Sequence, residues 1–386
     1  MSTMKRRVLF FHEEFPSGGG ERVTRDIARY ISRSDYEVYV AVCRRKIGDA
    51  PEVTLLELPD RSIRSIKNAD AIIGIIRSLS IDIFVLPGFL WEWLGYVKGH
   101  VQCKFVYILH NIPLWEVTAK LERRKRVQGS FLKMLEWCFI AYPQFRWFKT
   151  YEKRFIRRYE DTYNLVDAFV VLCNAYQEEM IQLLCISGKN KIHVIHNAEN
   201  FVDRHNDHKK KQVVFVGNLI YENKRVDRLL DIWNLVYKKV PDWELIIVGG
   251  GEELENLKKK TQHLKLQNIR FAGGTSDVQS YYYNASVSCL TSTFEGWPLC
   301  LTEAQVNGVV PVAFNSCAGI QEILSPNGQN GVLIPAFDKE KFAEELYRLL
   351  SSPEQLERMR QNVIHKSEDY SLEKIGKKWL DLLNSL

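Results

Sequence analysis

Two glutamates eight positions apart, Glu295 and Glu303, frame the stretch Phe294-Glu295-Gly296-Trp297-Pro298-Leu299-Cys300-Leu301-Thr302-Glu303-Ala304. Pro298 suits a first helical turn, where its missing N–H costs nothing and the neighbouring backbone N–H groups can face an anion. Glu295 then falls at the mouth of a loop and Glu303 on a helix about two turns on, each able to accept hydrogen bonds from the hydroxyls of a ligand. Two solvated helix carboxylates are the bland alternative; the glycine, the proline and the preceding apolar run Val287–Leu290 argue for more.

Four other places set reactive or permissive residues at the end of a strand-like run. The turn Gly217 to Arg225 closes on Lys224-Arg225, just before a helical pattern that begins at Val226. Two cations at a helix start, with the dipole behind them, suit a diphosphate leaving group whose charge grows as its bond breaks; a solvated surface pair is the other reading. His110-Asn111 follows the run Lys104–Leu109, where an imidazole could hydrogen-bond a hydroxyl or an anion, or serve structure alone. Ser17-Gly18-Gly19-Gly20-Glu21-Arg22 opens a helix soon after the first strand, and Gly249-Gly250-Gly251 and Gly273-Gly274 close strands in the second half. Glycines there let backbone approach a phosphate or a flat base, and each is also an ordinary turn. The first loop is not the Gly-x-Gly-x-x-Gly pattern, and no acidic residue ends the run Tyr36–Cys43 to hold a ribose, so a nicotinamide enzyme is not expected.

Such positions matter because ligands of doubly wound sheets sit beyond the carboxyl ends of the strands. The first half offers strands at Val8–His12, Tyr36–Cys43, Thr54–Leu58, Ile81–Leu86, Lys104–Leu109, Ala168–Cys173 and Ile192–His196. Between them, Glu21–Ser32 and Ile63–Leu79 carry apolar residues at helical spacing. A polar run from Asp203 to Lys211 reads as an interdomain linker. The alternation restarts with Gln212–Val216, Trp243–Val248, Ile269–Ala272, Val287–Leu290, Val310–Phe314 and Val332–Ile334. Strands alternating with helices predict an α/β chain of two Rossmann-like, doubly wound parallel-sheet domains. The expected bounds are 1–200 and 201–370, with a helix over 371–386 whose stripe Leu372, Ile375, Trp379, Leu382 and Leu383 packs back on the first domain.

At 386 residues the chain is too long for one core, and 46% hydrophobic with 26% charged residues excludes a disordered or fibrous protein. No run reaches the roughly 20 apolar residues of a membrane span. Val8-Leu9-Phe10-Phe11, met at once by Glu13 and Glu14, is too short for a signal peptide. Eight scattered cysteines without Cys-x-x-Cys pairs predict buried thiols in a reducing cytoplasm, and neither a zinc site nor a disulfide framework.

Taken together, Glu295 to Glu303 resembles the Glu-x7-Glu motif of the family-4 retaining glycosyltransferases. Gly18 to Arg22 resembles the family's amino-terminal glycine loop, His110 its cleft histidine and Lys224-Arg225 its cation site. Ala318-Gly319-Ile320-Gln321-Glu322-Ile323 and Asn330-Gly331-Val332-Leu333-Ile334-Pro335 resemble its closing motifs. The resemblance runs from about residue 8 to residue 350 and implies a GT-B architecture whose two domains face a cleft. It further implies a hexosyltransferase-type enzyme using a UDP-sugar or GDP-sugar, with front-face displacement, retention, and neither metal nor other cofactor. Glu303 would hold the donor ribose, Glu295 the hydroxyls of the transferred sugar, Lys224 with Arg225 the diphosphate, and His110 the donor sugar as oxocarbenium character develops. Gly19, Gly20, Gly249, Gly273, Gly296, Trp297, Pro298 and Leu299 would complete the donor site. The chain departs from the family at Asn218, where an arginine is frequent, and at Arg225, where a glycine is frequent.

The segment Pro113 to Leu165 carries twelve Lys/Arg against six Asp/Glu, an excess equal to the net +6 of the whole chain. Arg123-Arg124-Lys125-Arg126 and Lys153, Arg154, Arg157 and Arg158 flank the aromatics Trp137, Phe139, Tyr142, Phe145, Trp147 and Phe148. Rings settle at lipid headgroups and cations attract anionic lipids, so this insert predicts peripheral attachment to the inner face of the cell membrane and a lipid-linked or surface-polysaccharide acceptor. A helical excursion packed on its own aromatics is the alternative. No nucleic-acid module accompanies the charge, so no nucleic-acid partner is expected. Two rival functions share the scaffold: a nucleotide-sugar epimerase, which needs no acceptor, and a catalytically silent nucleotide-sugar-binding protein.

Overall fold

The computed structural model describes residues 5–16, 18–46, 48, 50–88, 90–126, 135–188, 191–202 and 204–386. The expectations placed on Met1 to Met4, Ser17 and Asp203, on 127–134 of the insert and on the side chains of Lys125 and Arg126 lie outside the described residues.

The chain divides into two compact units. The first holds Met1–Val117, Cys138–Ala198 and Leu372–Leu386, the second Thr118–Trp137 and Glu199–Ser371. In the first, β1 (Arg6–Phe15), β2 (Tyr36–Arg45), β3 (Thr54–Glu57), β4 (Ile83–Pro87), β5 (Lys104–Ile108), β6 (Ala168–Val171) and β7 (Ile192–Val194) form one parallel sheet in the order β3-β2-β1-β4-β5-β6-β7. β4 and β6 are buried along their whole length, as unbroken apolar runs must be when helices cover both faces of a sheet.

The second unit repeats the plan with β8 (Gln212–Val216), β9 (Glu244–Val248), β10 (Ile269–Gly273), β11 (Val287–Leu290), β12 (Val310–Phe314) and β13 (Val332–Ile334). They are parallel in the order β10-β9-β8-β11-β12-β13. Winding reverses between β1 and β4 in one sheet and between β8 and β11 in the other. The loops that leave those neighbouring strands diverge there, and the space between them is where such sheets take ligands.

The terminal helix Leu372–Ser385 belongs to the first unit and packs on the helix Gly19–Ile31. A Cβ at Gly376 would lie 2.2 Å from the Tyr30 ring, so only glycine admits this approach. Arg6 donates to the Leu383 carbonyl at 2.7 Å, and Arg33 pairs with Glu373 at 2.9 Å.

Two boundaries differ from the sequence reading. The polar run after Asn197 is not a free linker, for the units part at Ala198 and Glu199. His205 lies 2.9 Å from the Val306 carbonyl, Arg360 donates to the Asn206 carbonyl, and Lys209 donates to the carbonyls of Tyr282, Tyr283 and Asn307 at 2.7–3.1 Å. Hydrogen bonds to carbonyls at the C-terminal ends of the helices Gln279–Asn284 and Leu299–Val306 fix this segment, a means that leaves no apolar period to read. The insert, expected wholly in the first domain, is shared: Thr118–Trp137 groups with the second unit.

Candidate active site

The candidate residues fall into two sets, one per unit. In the second, the turn after β8 carries Lys224 and the loop after β11 carries Glu295, and because β8 and β11 are neighbours the two side chains meet. The Lys224 ammonium donates to Glu295 Oε1 at 2.7 Å, and Ser292 donates to the same oxygen at 2.7 Å. Only 16% of the lysine side chain and 11% of the glutamate are exposed. Burial pulls the Lys224 pKa down, but the charge of Glu295 outweighs it and holds the ammonium above its ordinary range.

Glu303 sits on the helix Leu299–Val306, nearly buried, and accepts the phenolic hydrogen bond of Tyr282 at 3.0 Å. Beside it, Thr302 donates to the buried Glu199 at 3.2 Å. Pro298 stands immediately before that helix with extended backbone, and Gly296, Trp297 and Pro298 are buried. The Trp297 indole packs edge-on against Tyr370 with centroids 5.1 Å apart, so its side chain anchors the loop in the core. Leu299 is half-buried at the helix start.

The glycines divide by environment. A Cβ on Gly249, at φ +149°, would lie 1.9 Å from the Gly217 carbonyl: glycine is required there because the turns after β8 and β9 touch. Gly273 faces open space.

Arg225 is held differently from Lys224. It adopts left-handed backbone, φ +48°, where glycine is at ease and a larger residue must be held by its surroundings. Its guanidinium makes a two-point pair with Asp227 at 2.9 and 3.0 Å, lies over the Tyr221 ring at 4.3 Å and stands 3.8 Å from Glu122. These partners engage the charge that the sequence reading gave to a diphosphate. Ser292, Tyr282 and Glu199 were missed in the sequence; a serine three residues before Glu295 was the one available signal, because the other two depend on distant segments.

In the first unit, Gly19 begins the helix after β1 and Gly20 lies against His110, whose Cδ2 would be 3.9 Å from an added Cβ. A cavity of about 390 Å³ opens there, lined among others by His12, Glu21, Arg44, Trp91, His110 and Trp115. Its walls come from the ends of β1, β4 and β5, the strands at the winding reversal. Burial lowers the His110 pKa to about 4, and burial followed by the nearness of His110 lowers that of His12 to about 3, so both imidazoles are neutral at pH 7. His12 lies 2.8 Å from the Thr24 hydroxyl, whereas the buried His110 Nε2 has no hydrogen-bond partner among the described residues. A neutral imidazole nitrogen of that kind can bond a ligand hydroxyl. Glu21, at the same cavity, has its pKa raised by burial, while Arg44 spans Glu13 and Glu14 at 2.7 and 2.8 Å. Among the described residues no cluster of three or more His, Cys, Asp or Glu is arranged to hold a metal ion.

Two parallel doubly wound units, each with its polar residues at the strand ends, define the GT-B class. The structure superimposes on HepE of Anabaena in complex with UDP and glucose with a TM-score of 0.74 at 16% identity, covering 99% of this chain and 100% of that one. The two halves match two family models in tandem, Glycosyltransferase Family 4 over residues 17–200 and Glycosyl transferases group 1 over 197–366, and the chain belongs to these glycosyltransferases. It is 38% identical over 174 residues to a glycosyltransferase of Haemophilus influenzae, covering 45% of this chain and 49% of that one. It is 32% identical over 231 residues to the amylovoran biosynthesis glycosyltransferase AmsD of Erwinia amylovora, covering 58% and 63%. The matched segments thus span from about half to just under two thirds of these curated relatives' length.

Removing one partner of a buried pair strands the other. Lys224→Met should cost roughly 3 kcal/mol of stability, and adding Glu295→Gln should recover most of it. Urea unfolding of both single variants and the double variant checks this; losses that simply add would show that the pair is not coupled.

Proposed function

We propose that this glycosyltransferase takes a UDP-sugar or GDP-sugar in its second unit and passes the sugar, with retention, to a lipid-linked or surface-polysaccharide acceptor. The observation that carries the reading is the Lys224–Glu295 pair at 2.7 Å, a buried cation and carboxylate that need each other only until a ligand offers both something better. The diphosphate attracts the ammonium, and its growing charge in the transition state is what a fixed cation stabilises most. Glu295, released, accepts hydrogen bonds from the hydroxyls of the transferred sugar, and Glu303, steadied by Tyr282, accepts from the ribose. Gly273, Gly296 and the backbone about Pro298 and Leu299 fit the remaining donor contacts. In the first unit, His110 Nε2, without a hydrogen-bond partner among the described residues and with Gly20 beside it, suits a sugar hydroxyl. No step in this scheme calls for a metal or another cofactor. HepE, a structural neighbour, was seen with UDP and glucose, and the name of AmsD places that relative in amylovoran biosynthesis; both agree with the reading.

A donor screen tests it. The protein is incubated with a panel of nucleotide sugars and membrane lipid extract, and nucleoside diphosphate release is followed beside Glu295→Ala and Lys224→Ala. Acceptor-dependent release that falls at least 100-fold in both variants is expected, a loss of about 2.7 kcal/mol of transition-state stabilisation. A sugar altered without release would make the protein an epimerase, and donor binding without turnover a silent binder.

The acceptor side rests on the insert. Phe139, Ile140, Trp147 and Phe148 are 57–75% exposed, with Tyr142 at 43%, so these side chains are not packed into a core of the insert. Lys153, Arg154 and Arg157 stand exposed on the following helix Thr150–Leu165. Among the described residues no helix is long and apolar enough to cross a membrane, and an exposed aromatic patch beside cations fits attachment to the anionic inner face from the cytoplasm. The protein should therefore float with vesicles containing anionic lipid at low salt, and Trp147→Ser with Phe148→Ser should reduce the bound fraction several-fold. Equal recovery with neutral and anionic vesicles would overturn the attachment.

A further inference from the structure

The basic insert returns a charged helix end to the turn that carries Lys224. On the helix Trp115–Arg126, Glu122 is 5% exposed, an expensive place for a carboxylate without nearby cations. Its counter-charge is Arg225, 3.8 Å away, and it is near enough to act on Arg228, whose guanidinium lies over Phe337 and donates to the Thr291 carbonyl at 3.2 Å. One residue on, Arg123 pairs with Glu222 at 3.3 Å, from the opposite charge arrangement. The helix end and the turn thus exchange charges twice, acid to base and base to acid, and both contacts lie within the second unit.

The turn is also fixed from its other side. Thr293 N–H donates to the Asn223 carbonyl at 2.6 Å and the Thr291 hydroxyl to the Arg225 carbonyl at 3.0 Å, tying the turn to the loop that bears Glu295. Left-handed backbone at Arg225 needs such restraint, and the side chain that supplies part of it is the one Glu122 faces.

We propose that Glu122 and Arg123 are positioning residues for the nucleoside-diphosphate site: they hold the turn Gly217 to Arg225 so that Lys224 is presented to the diphosphate. This rests on the donor reading above. It assigns to the insert a role in donor binding, separate from the exposed aromatic surface of residues 139–148.

Calorimetric titration of the whole protein with UDP and with GDP tests it. Wild type should bind one of them, and Glu122→Gln should weaken that binding about fivefold. Arg225→Gln should weaken it similarly, and the double variant no further than Arg225→Gln alone, since the two act through one contact. Glu222→Gln, which breaks the more exposed pair and leaves Glu122 in place, should weaken it about twofold and guards against a misfolded Glu122 variant. Unchanged affinity in Glu122→Gln and Glu222→Gln, with only the melting temperature lowered, would make the contacts merely structural and overturn the proposal. Tighter binding in Glu122→Gln would also overturn it, showing that the carboxylate only screens the site. If wild type bound neither nucleotide, the donor reading would fall and this inference with it.

Discussion

A lysine ammonium and a glutamate carboxylate withdrawn from water stabilise each other strongly, and Lys224 and Glu295 are in that position. They can meet only because the second sheet winds outward in both directions from β8 and β11, which sets the turn after one strand beside the loop after the other. Each neighbouring feature supports that meeting. Gly249 lets the turns after β8 and β9 touch, Ser292 holds the shared carboxylate oxygen, and Trp297 anchors the Glu295 loop against Tyr370. A pair assembled by topology is well suited to a ligand carrying an anion and hydroxyls side by side, since such a ligand replaces both halves of the interaction at once.

The first unit reaches a comparable result with opposite chemistry. Its winding reversal encloses neutral imidazoles and indoles, together with Glu21, whose pKa burial raises, and with Arg44 paired to Glu13 and Glu14. Uncharged donors and acceptors beside aromatic surface recognise hydroxyls without attracting counter-ions, which agrees with a sugar-facing wall, while the second unit carries the charge suited to a nucleotide.

The strands were legible because burial on both faces leaves unbroken apolar runs: β8, β11, β12 and β13 have the bounds their sequences indicate, and the others differ by a few residues at their ends. The order of chemistry-bearing residues was legible because each follows such a strand. Long-range contacts were not. Lys209 lies in a run that reads as solvated and is bound by three carbonyls. Arg225 reads as a free cation and is held by Asp227, Tyr221 and Glu122, the last a hundred residues away in an insert whose composition suggested only a surface. Tyr282 and Glu199 acquire their places beside Glu303 and Thr302 through folding alone.

On this reading Lys224, held charged by Glu295, is kept for the second phosphate of a nucleotide. The direct test compares calorimetric affinities for nucleoside diphosphate and monophosphate, UDP with UMP and GDP with GMP, in wild type and Lys224→Met. Wild type is expected to prefer the diphosphate by at least tenfold, about 1.4 kcal/mol, and the preference to disappear in the variant. Equal affinity for the two in wild type, or a preference that survives the loss of Lys224, would contradict it.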